Sequence, residues 1–360
     1  MKKLRARIAC VVMAGALCVT GFTGCGKEAA VDGTAEAVKF DDTSVNMGVA
    51  NFFLRYQQAT TLSYYSMFGM DTSGVFNEKG DDGKTYGETT KSGSLDSLEE
   101  MYLLKAHMAE YNITLTDEEK AAADKAAEEF ISANSEELLT KIGATKEDVS
   151  EVLQLYAIKS KIYDPMVVDT DTNVTDDEAA QTTITYVKLS TEGTETDADG
   201  NKVALTDEEK AAKKAQAEQI IEAVEATGDV ANADMDAIAK GVDSTLTASA
   251  VSYGSDDTNM EDNVKKAAAE LTDGQLSGSV VESDTAYFVV RLDKAFDQEK
   301  TEAKKTEIVN SRKQDTYDGI VKEWKDAAKV TTTKAWDKLT VTDSDVYTFK
   351  QADTSSTSAE

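Results

Sequence analysis

The side chains that most often carry nucleophilic or metal chemistry are scarce in this sequence. Its 360 residues include one histidine, His107, and three cysteines, Cys10, Cys18 and Cys25. A Ser-His-Asp or Cys-His arrangement could be built only around His107, and a metal site with several histidines cannot be built at all. Apolar residues recur at helical spacing on both sides of His107, which predicts a partly buried helix histidine rather than a catalytic one.

Two acidic stretches come close to the spacing of a calcium-binding loop. The stretch that begins at Asp169 lacks the glycine expected at the sixth loop position, and the stretch that begins at Asp197 has Lys202 there. We therefore interpret both stretches as solvated turns and predict no metal site.

The first 24 residues have the composition of a secretory signal. Four basic residues precede an apolar segment over residues 8–19, which is shorter than the ~20 apolar residues that a membrane-spanning helix needs. The segment is followed by Thr23-Gly24-Cys25, a pattern that resembles the bacterial lipoprotein signal. We expect residues 1–24 to be removed and Cys25 to carry lipid at the extracytoplasmic face of the cell membrane. An ordinary secretory signal and an uncleaved anchor are the alternatives.

The charge balance is strongly acidic. The sequence has 67 acidic and 38 basic residues, for a formal net charge of -29. Such a chain is repelled by phosphate backbones, which argues against binding to nucleic acid. The 41% of hydrophobic residues are enough to build real cores.

Hydrophobic periodicity predicts a series of helices, then a mixed region, then one long helix. The predicted helices cover residues 44–70, 95–111, 116–133, 135–142, 146–163, 206–226, 235–240, 261–269 and 297–329, and the predicted strands cover residues 182–189, 248–253 and 286–292. Residues 71–94 are rich in Gly, Asp, Lys and Thr and are expected to form a long loop or an irregular hairpin. The helix at 297–329 cannot bury its apolar stripe alone, so we expect it to pack on the N-terminal helices.

One segment is specific enough to suggest a family. Residues 260–292, MEDNVKKAAAELTDGQLSGSVVESDTAYFVVRL, resemble the C-terminal half of parvulin-type prolyl isomerase domains. The strand predicted at 182–189 resembles the first parvulin strand. A parvulin-like domain between helical flanks, behind a lipoprotein signal, is similar to the PrsA foldases of Gram-positive bacteria and the related SurA chaperones.

This resemblance implies an α+β fold in which a parvulin-like domain, a small antiparallel or mixed sheet flanked by helices, is inserted into a helical chaperone domain. The implied division is a signal peptide (1–24), a flexible tether (25–40), a discontinuous helical domain (41–166 plus 298–340), the parvulin-like domain (180–297) and a polar tail (341–360). No cofactor is implied.

The resemblance also places a degenerate polar cluster. Parvulins carry a histidine on the first strand, where this chain has Tyr186, and another on the last strand, where it has Phe288. Asp243 stands at the position of the family's central Cys or Asp. Tyr186 and Asp243 could form a reduced polar pair, but Phe288 has no group that can donate a hydrogen bond. Ordinary sheet packing is the alternative role for Tyr186 and Phe288.

The family's proline pocket is matched only in part. Met260 fits the Met of that pocket, Val264 replaces its Phe, and Leu276 could add a third apolar wall. With both histidines replaced, the resemblance implies weak or absent isomerase activity.

Three hypotheses about function follow. The first is a membrane-anchored extracytoplasmic foldase that binds unfolded or newly secreted polypeptides, with the aromatic helix at 44–70 as either a core helix or an adaptable client-binding face. The second is an active parvulin-type isomerase with a rebuilt active site. The third is an envelope lipoprotein that binds a solute or acts as a scaffold. The oligomeric state is left open, with a dimer as one possibility.

Overall fold

The computed structural model describes residues 30–193, 203 and 205–349, so the predicted signal segment, Cys25 and most of the second acidic stretch lie outside the described residues. The fold is α+β, as predicted. The helices are α1 (Met47–Met67), α2 (Tyr86–His107), α3 (Asp117–Ala133), α4 (Glu136–Ile142), α5 (Lys146–Met166), α6 (Asp176–Ala179), α7 (Asp207–Glu225), α8 (Met235–Val242), α9 (Asp262–Ala269), α10 (Gln298–Ala327) and α11 (Lys334–Asp337). The strands are β1 (Glu36–Phe40), β2 (Thr43–Asn46), β3 (Thr182–Ser190), β4 (Ala248–Tyr253), β5 (Val281–Glu282), β6 (Ala286–Lys294) and β7 (Val330–Thr332). The described residues also form 3-10 turns at Val75–Asn77 and Val230–Asn232.

The chain divides into two compact units. The first, which we call the helical unit, comprises the described residues within Met1–Thr170 and Lys313–Glu360, and the second, which we call the sheet unit, comprises those within Asp171–Arg312. The dividing point falls inside α10, whereas the sequence predicted it at the start of that helix. The reason is that the first half of α10 bonds to the start of the sheet unit: the hydroxyl of Thr301 accepts from the backbone N–H of Gln181 at 3.1 Å.

Local sequence accounts for the helix starts of the helical unit. Thr85, Thr116 and Thr145 each precede a helix and form a capping box, in which the threonine hydroxyl accepts from the third helical N–H and an acidic side chain reaches back. The apolar faces of α1, α2, α3 and α5 meet in one core, whose large members include Phe52, Phe53, Leu98, Phe130 and Val152. No helix among the described residues is long and apolar enough to cross a membrane.

Three predictions for the helical unit are wrong. Residues 36–40, expected to belong to a flexible tether, form β1, which pairs antiparallel with both β2 and β7. The loop expected over residues 71–94 ends early, because the capping box at Thr85 starts α2 at Tyr86. The first part of the expected polar tail is packed instead, with Val341 and Tyr347 buried in the core.

The sheet unit contains a four-stranded antiparallel sheet in the order β4-β3-β6-β5. Because successive side chains of a strand point to opposite faces, the sheet has two apolar sides. On one side Ile184, Val290 and Leu292 pack with Val264 of α9, and we call this the α9 face. On the other side the core contains residues of α7 and α8 together with buried strand residues, and we call this the α7–α8 face; its strand residues are Val187, Leu189 and Val289.

Candidate functional site

Tyr186 and Phe288 lie side by side on the α9 face. Their ring centroids are 5.9 Å apart at an interplanar angle of 53°. Phe288 is only 2% exposed and belongs to the core of that face, against which Tyr186 packs as a partly buried neighbour. The two positions where parvulins carry histidines are therefore brought together, but they form a packed aromatic pair.

Asp243 is held elsewhere. It follows α8, and its carboxylate accepts from the backbone N–H of Thr245 at 3.0 Å and from the hydroxyl of Thr245 at 2.8 Å. Its other partners lie on α7: the amide of Gln216 at 3.4 Å and the ammonium of Lys213 at 3.8 Å. The bonds from Thr245 hold the pKa of Asp243 below its usual range, so the group is a carboxylate at neutral pH. These contacts engage Asp243 with α7 and its own loop, and no hydrogen bond joins it to Tyr186.

The three expected walls of the proline pocket are not on one surface. Met260 and Val264 are buried in the core of the α9 face, where they pack with Phe288. Leu276 is buried in the core of the α7–α8 face, where it packs with Val289. Met260 and Val264 thus fill the interior, and Leu276 is separated from them by the sheet.

A different surface is open. The C-terminal end of α1 and the residues after it carry large apolar side chains that are exposed in the helical unit. Their exposed fractions are Tyr64 57%, Met67 71%, Phe68 58% and Met70 48%, with Tyr86 of α2 at 37%. The ring centroids of Tyr64 and Phe68 are 4.9 Å apart, and Tyr65 links the group to Tyr86 at 6.3 Å. We call this set, including Tyr65, the aromatic–methionine patch.

The helix that carries this patch has two parts. Its first four turns are core, since residues such as Phe52, Phe53 and Leu62 are buried, and the ring of Phe52 meets that of Phe130 edge-on at 5.1 Å. The apolar side chains of its last turn, such as Met67, are exposed and are not covered by other described residues. The sequence could not divide the helix, because the buried and the exposed parts both contain aromatic residues and methionine.

His107 is part of packing in the helical unit. It is the last residue of α2, and its ring stacks on Trp324 at a centroid distance of 4.1 Å and an interplanar angle of 1°. Its Nδ1 lies 2.8 Å from Oε1 of Glu110. The indole of Trp324 covers one face of the imidazole, which agrees with the prediction that His107 is a partly buried helix residue.

The acidic stretch at Asp169 forms a local turn. Oδ1 of Asp171 accepts from the backbone N–H of Asn173 at 2.9 Å. Within the described ranges, no three His, Cys, Asp or Glu side chains are grouped so that they could hold a metal ion.

Comparisons with known proteins give weak similarity to one group. No family model and no curated protein matches the chain. Among solved structures, the chain is similar to the foldase protein PrsA of Streptococcus pneumoniae str. Canada MDR_19A, with 20% identity, a TM-score of 0.29 and coverage of 69% of this chain and 91% of that one. It is also similar to PrsA of Bacillus cereus, with 19% identity, a TM-score of 0.26 and coverage of 68% and 86%. For PrsA of Bacillus subtilis the identity is 15%, the TM-score 0.23 and the coverage 69% and 90%.

Proposed function

We propose that this protein is a membrane-anchored extracytoplasmic folding factor that binds unfolded or newly secreted polypeptides, with weak or absent prolyl isomerase activity. The observation that carries the proposal is the aromatic–methionine patch. In this proposal the helical unit is the chaperone domain, the sheet unit is the parvulin-like domain, and lipid on Cys25 holds both at the membrane.

The patch has the chemistry that a binder of varied unfolded chains needs. Contiguous exposed apolar groups on a soluble unit mark sites of interaction. Methionine has three rotatable bonds and a polarisable sulfur, so Met67 and Met70 can adapt to side chains of different shape. The rings of Tyr64 and Phe68 add large apolar area, and the Tyr64 hydroxyl can remain hydrated while its ring is covered. Such a surface favours apolar segments without demanding one sequence.

The charge of the chain supports the same role. A net charge of -29 keeps a protein soluble and separates its copies, although an apolar patch is exposed. It also disfavours self-association through the patch, which leaves the patch available to other polypeptides.

The proposed weakness of isomerase activity follows from the site residues. Rotation about an X-Pro bond faces a barrier of about 20 kcal/mol, and a catalyst must bind the twisted amide better than either planar form. That requires an apolar socket for the ring next to polar groups for the carbonyl. Here Met260 and Val264 fill the core, and Asp243 is bonded to α7 rather than to Tyr186.

The test is suppression of aggregation. The purified protein is added to a heat-denatured client enzyme, and light scattering is followed with and without it. We expect the wild type to reduce scattering at stoichiometric amounts, and Met67→Ser/Phe68→Ser to lose most of that effect. Covering about half of the area that two such side chains expose is worth roughly 1–3 kcal/mol, which is about fivefold to 150-fold in client affinity.

Val168→Ser is the matched control. Val168 is 73% exposed in the same unit and lies outside the patch, so its loss removes exposed apolar area without touching the proposed surface. Absence of any effect of the wild type on several clients would refute the proposal, and equal loss in both variants would refute the assignment to the patch. A protease-coupled assay on an Xaa-Pro peptide should show little acceleration; a strong acceleration would favour the active-isomerase alternative.

The anchor needs its own test. Growth with a radiolabelled fatty acid should label the wild type and move it to the membrane fraction, and Cys25→Ser should lose both properties. Unlabelled wild type would contradict the proposed tether while leaving the client-binding proposal intact.

A further inference from the structure

β4 is an edge strand with exposed backbone. It pairs with β3 on one side only, and no strand of the described chain pairs with its other side. Ser249 and Ala250 are exposed, and the strand ASAVSY contains no charged residue and no proline. Edge strands usually carry charges, proline or bulges that prevent a further strand from joining. β4 has none of these over six residues.

Three hydrogen bonds show which backbone groups of β4 face outward. The N–H of Ala248 donates to Asp236 Oδ1 at 3.1 Å, and the C=O of Ser252 accepts from Asn259 at 3.2 Å. Just past the strand, the N–H of Gly254 donates to Asp257 Oδ2 at 2.8 Å. All three residues have even numbers, and backbone groups of an antiparallel strand alternate between its two sides. Ala250, midway between Ala248 and Ser252, therefore also points its N–H and C=O away from β3.

The outward groups form a short open window. At each end of the strand one outward group is already bonded, the N–H of Ala248 to Asp236 and the C=O of Ser252 to Asn259. Four groups lie between them: the C=O of Ala248, the N–H and C=O of Ala250, and the N–H of Ser252. An added antiparallel strand can pair with all four over about five residues, as in other cases of strand addition.

The opposite edge of the same sheet is different. β5 has two residues and ends in Glu282, whose carboxylate pairs with Lys214 at 2.7 Å. Such a short, charged edge offers no comparable window. The contrast indicates that the open edge at β4 is a property of this strand and not of the sheet as a whole.

The end of β4 opens onto a cleft. A cavity of about 460 Å³ is lined by Ser252 and Asn259 on the strand side and by Lys300 and Lys304 of α10 on the other. A chain that leaves the strand window would have room here for its next side chain.

We propose that the outer edge of β4 binds an extended segment of a client polypeptide by strand addition. This deepens the proposed folding function and rests on it. The surface indicates what binds there. Alternating donors and acceptors complement an extended polypeptide backbone. The small side chains of Ala248, Ala250 and Ser252 allow a second backbone to approach whatever its sequence. A second copy of this chain is disfavoured by the net charge of -29 on each copy.

The test uses a fluorescein-labelled ten-residue peptide of alternating apolar and polar residues without proline, with binding measured by fluorescence anisotropy. A second peptide has the same side chains but is N-methylated at its five central amides, which removes their donors. We expect N-methylation to raise the Kd about tenfold or more. This comparison needs no change to the protein.

The matched protein variants are Ala250→Pro and Ala250→Val. Proline removes only an N–H that points away from β3, a position where edge strands tolerate it, and valine keeps that N–H. We expect Ala250→Pro to raise the Kd about tenfold for the unmodified peptide, Ala250→Val to change it less than twofold, and the N-methylated peptide to bind both variants alike.

Unchanged binding on N-methylation or in Ala250→Pro would overturn the proposal, as would a wild-type dimer that Ala250→Pro converts to a monomer, because the occupant would then be a second copy. Aggregation assays on the same variants separate the two proposals. If the wild type suppresses aggregation but the edge variants bind the peptide normally, only the strand-addition proposal fails. If the wild type has no effect on any client, the folding function fails.

Discussion

A buried ion pair anchors the C-terminal segment of the helical unit, and its loss should unfold that unit more easily. Arg55 of α1 is 2% exposed, and its Nη2 lies 3.1 Å from Oδ2 of Asp345. Its Nη1 donates to the C=O of Thr340 at 2.9 Å, and its guanidinium carbon lies 4.7 Å from the centroid of the Tyr347 ring. Oδ2 of Asp345 accepts no hydrogen bond of good geometry, so the negative charge of Asp345 is compensated mainly by the positive charge of Arg55.

The cost of Arg55→Met can be worked from these contacts. Removing one partner of a buried pair leaves the other charge uncompensated, at about 3–5 kcal/mol. Met keeps most of the side-chain volume, so a cavity term adds little. For a unit of this size each kcal/mol lowers Tm by about 2–4 °C, which predicts a fall of roughly 10 °C.

Urea and thermal unfolding followed by tryptophan fluorescence would measure this effect, since Trp336 is buried in the same core. Lys322→Met is the matched control, because the pair of Lys322 with Asp326 is exposed and its loss should cost less than about 0.5 kcal/mol. The double variant Arg55→Met/Asp345→Leu should recover part of the loss, because it leaves no unpaired charge. A change below about 1 kcal/mol in Arg55→Met would refute the assignment of this pair as the anchor.

Two further predictions concern the sheet unit. Phe288→Ala should destabilise it by about 3–5 kcal/mol in urea unfolding, because the ring fills the core of the α9 face; a loss below about 1 kcal/mol would indicate an open site at this position instead. Burial raises the pKa of Asp297, but hydrogen bonds from the Thr183 hydroxyl and the Lys300 N–H outweigh it and hold the pKa below the usual range. A lowered folded-state pKa stabilises the fold at pH values above the unfolded pKa of about 3.9 and loses that contribution as pH falls through the folded value. Unfolding free energies measured from pH 7 down to acid should therefore fall less steeply for Asp297→Asn than for the wild type, and parallel profiles would contradict this.

Local patterns were sufficient for most of the secondary structure. Strand β4 was predicted with its observed bounds, and the capping sequence at Thr116 marked the start of α3. Such elements depend on residues close to each other in the sequence, such as the Thr116 hydroxyl and the N–H of Glu119 at 3.2 Å. The α+β class was implied by the resemblance to parvulin-type domains.

Pairings between distant parts of the chain could not be predicted in this way. β1 pairs with β7 about 290 residues away, as in the register Val38 to Thr332, and the short strands carry no signal of that partner. The packed segment after Leu339 depends likewise on Arg55, which is 290 residues earlier than Asp345. The polar composition of this segment predicted a tail. A charged side chain such as that of Asp345 is buried only where an opposite charge compensates it, and the sequence does not identify Arg55 as that partner.

The candidate site shows the same division. Residue types alone restricted histidine-based catalysis to His107 and excluded a metal site with several histidines. The resemblance to parvulin domains implied a degenerate polar cluster at Tyr186 and Asp243, and the residue pattern left the role of the aromatic helix over residues 44–70 open. Tertiary packing decided both: it placed Asp243 against α7, and it buried the first turns of α1 while leaving Phe68 exposed. The physical reason is that burial is a property of what covers a side chain, and the covering residues come from parts of the chain that no local pattern identifies.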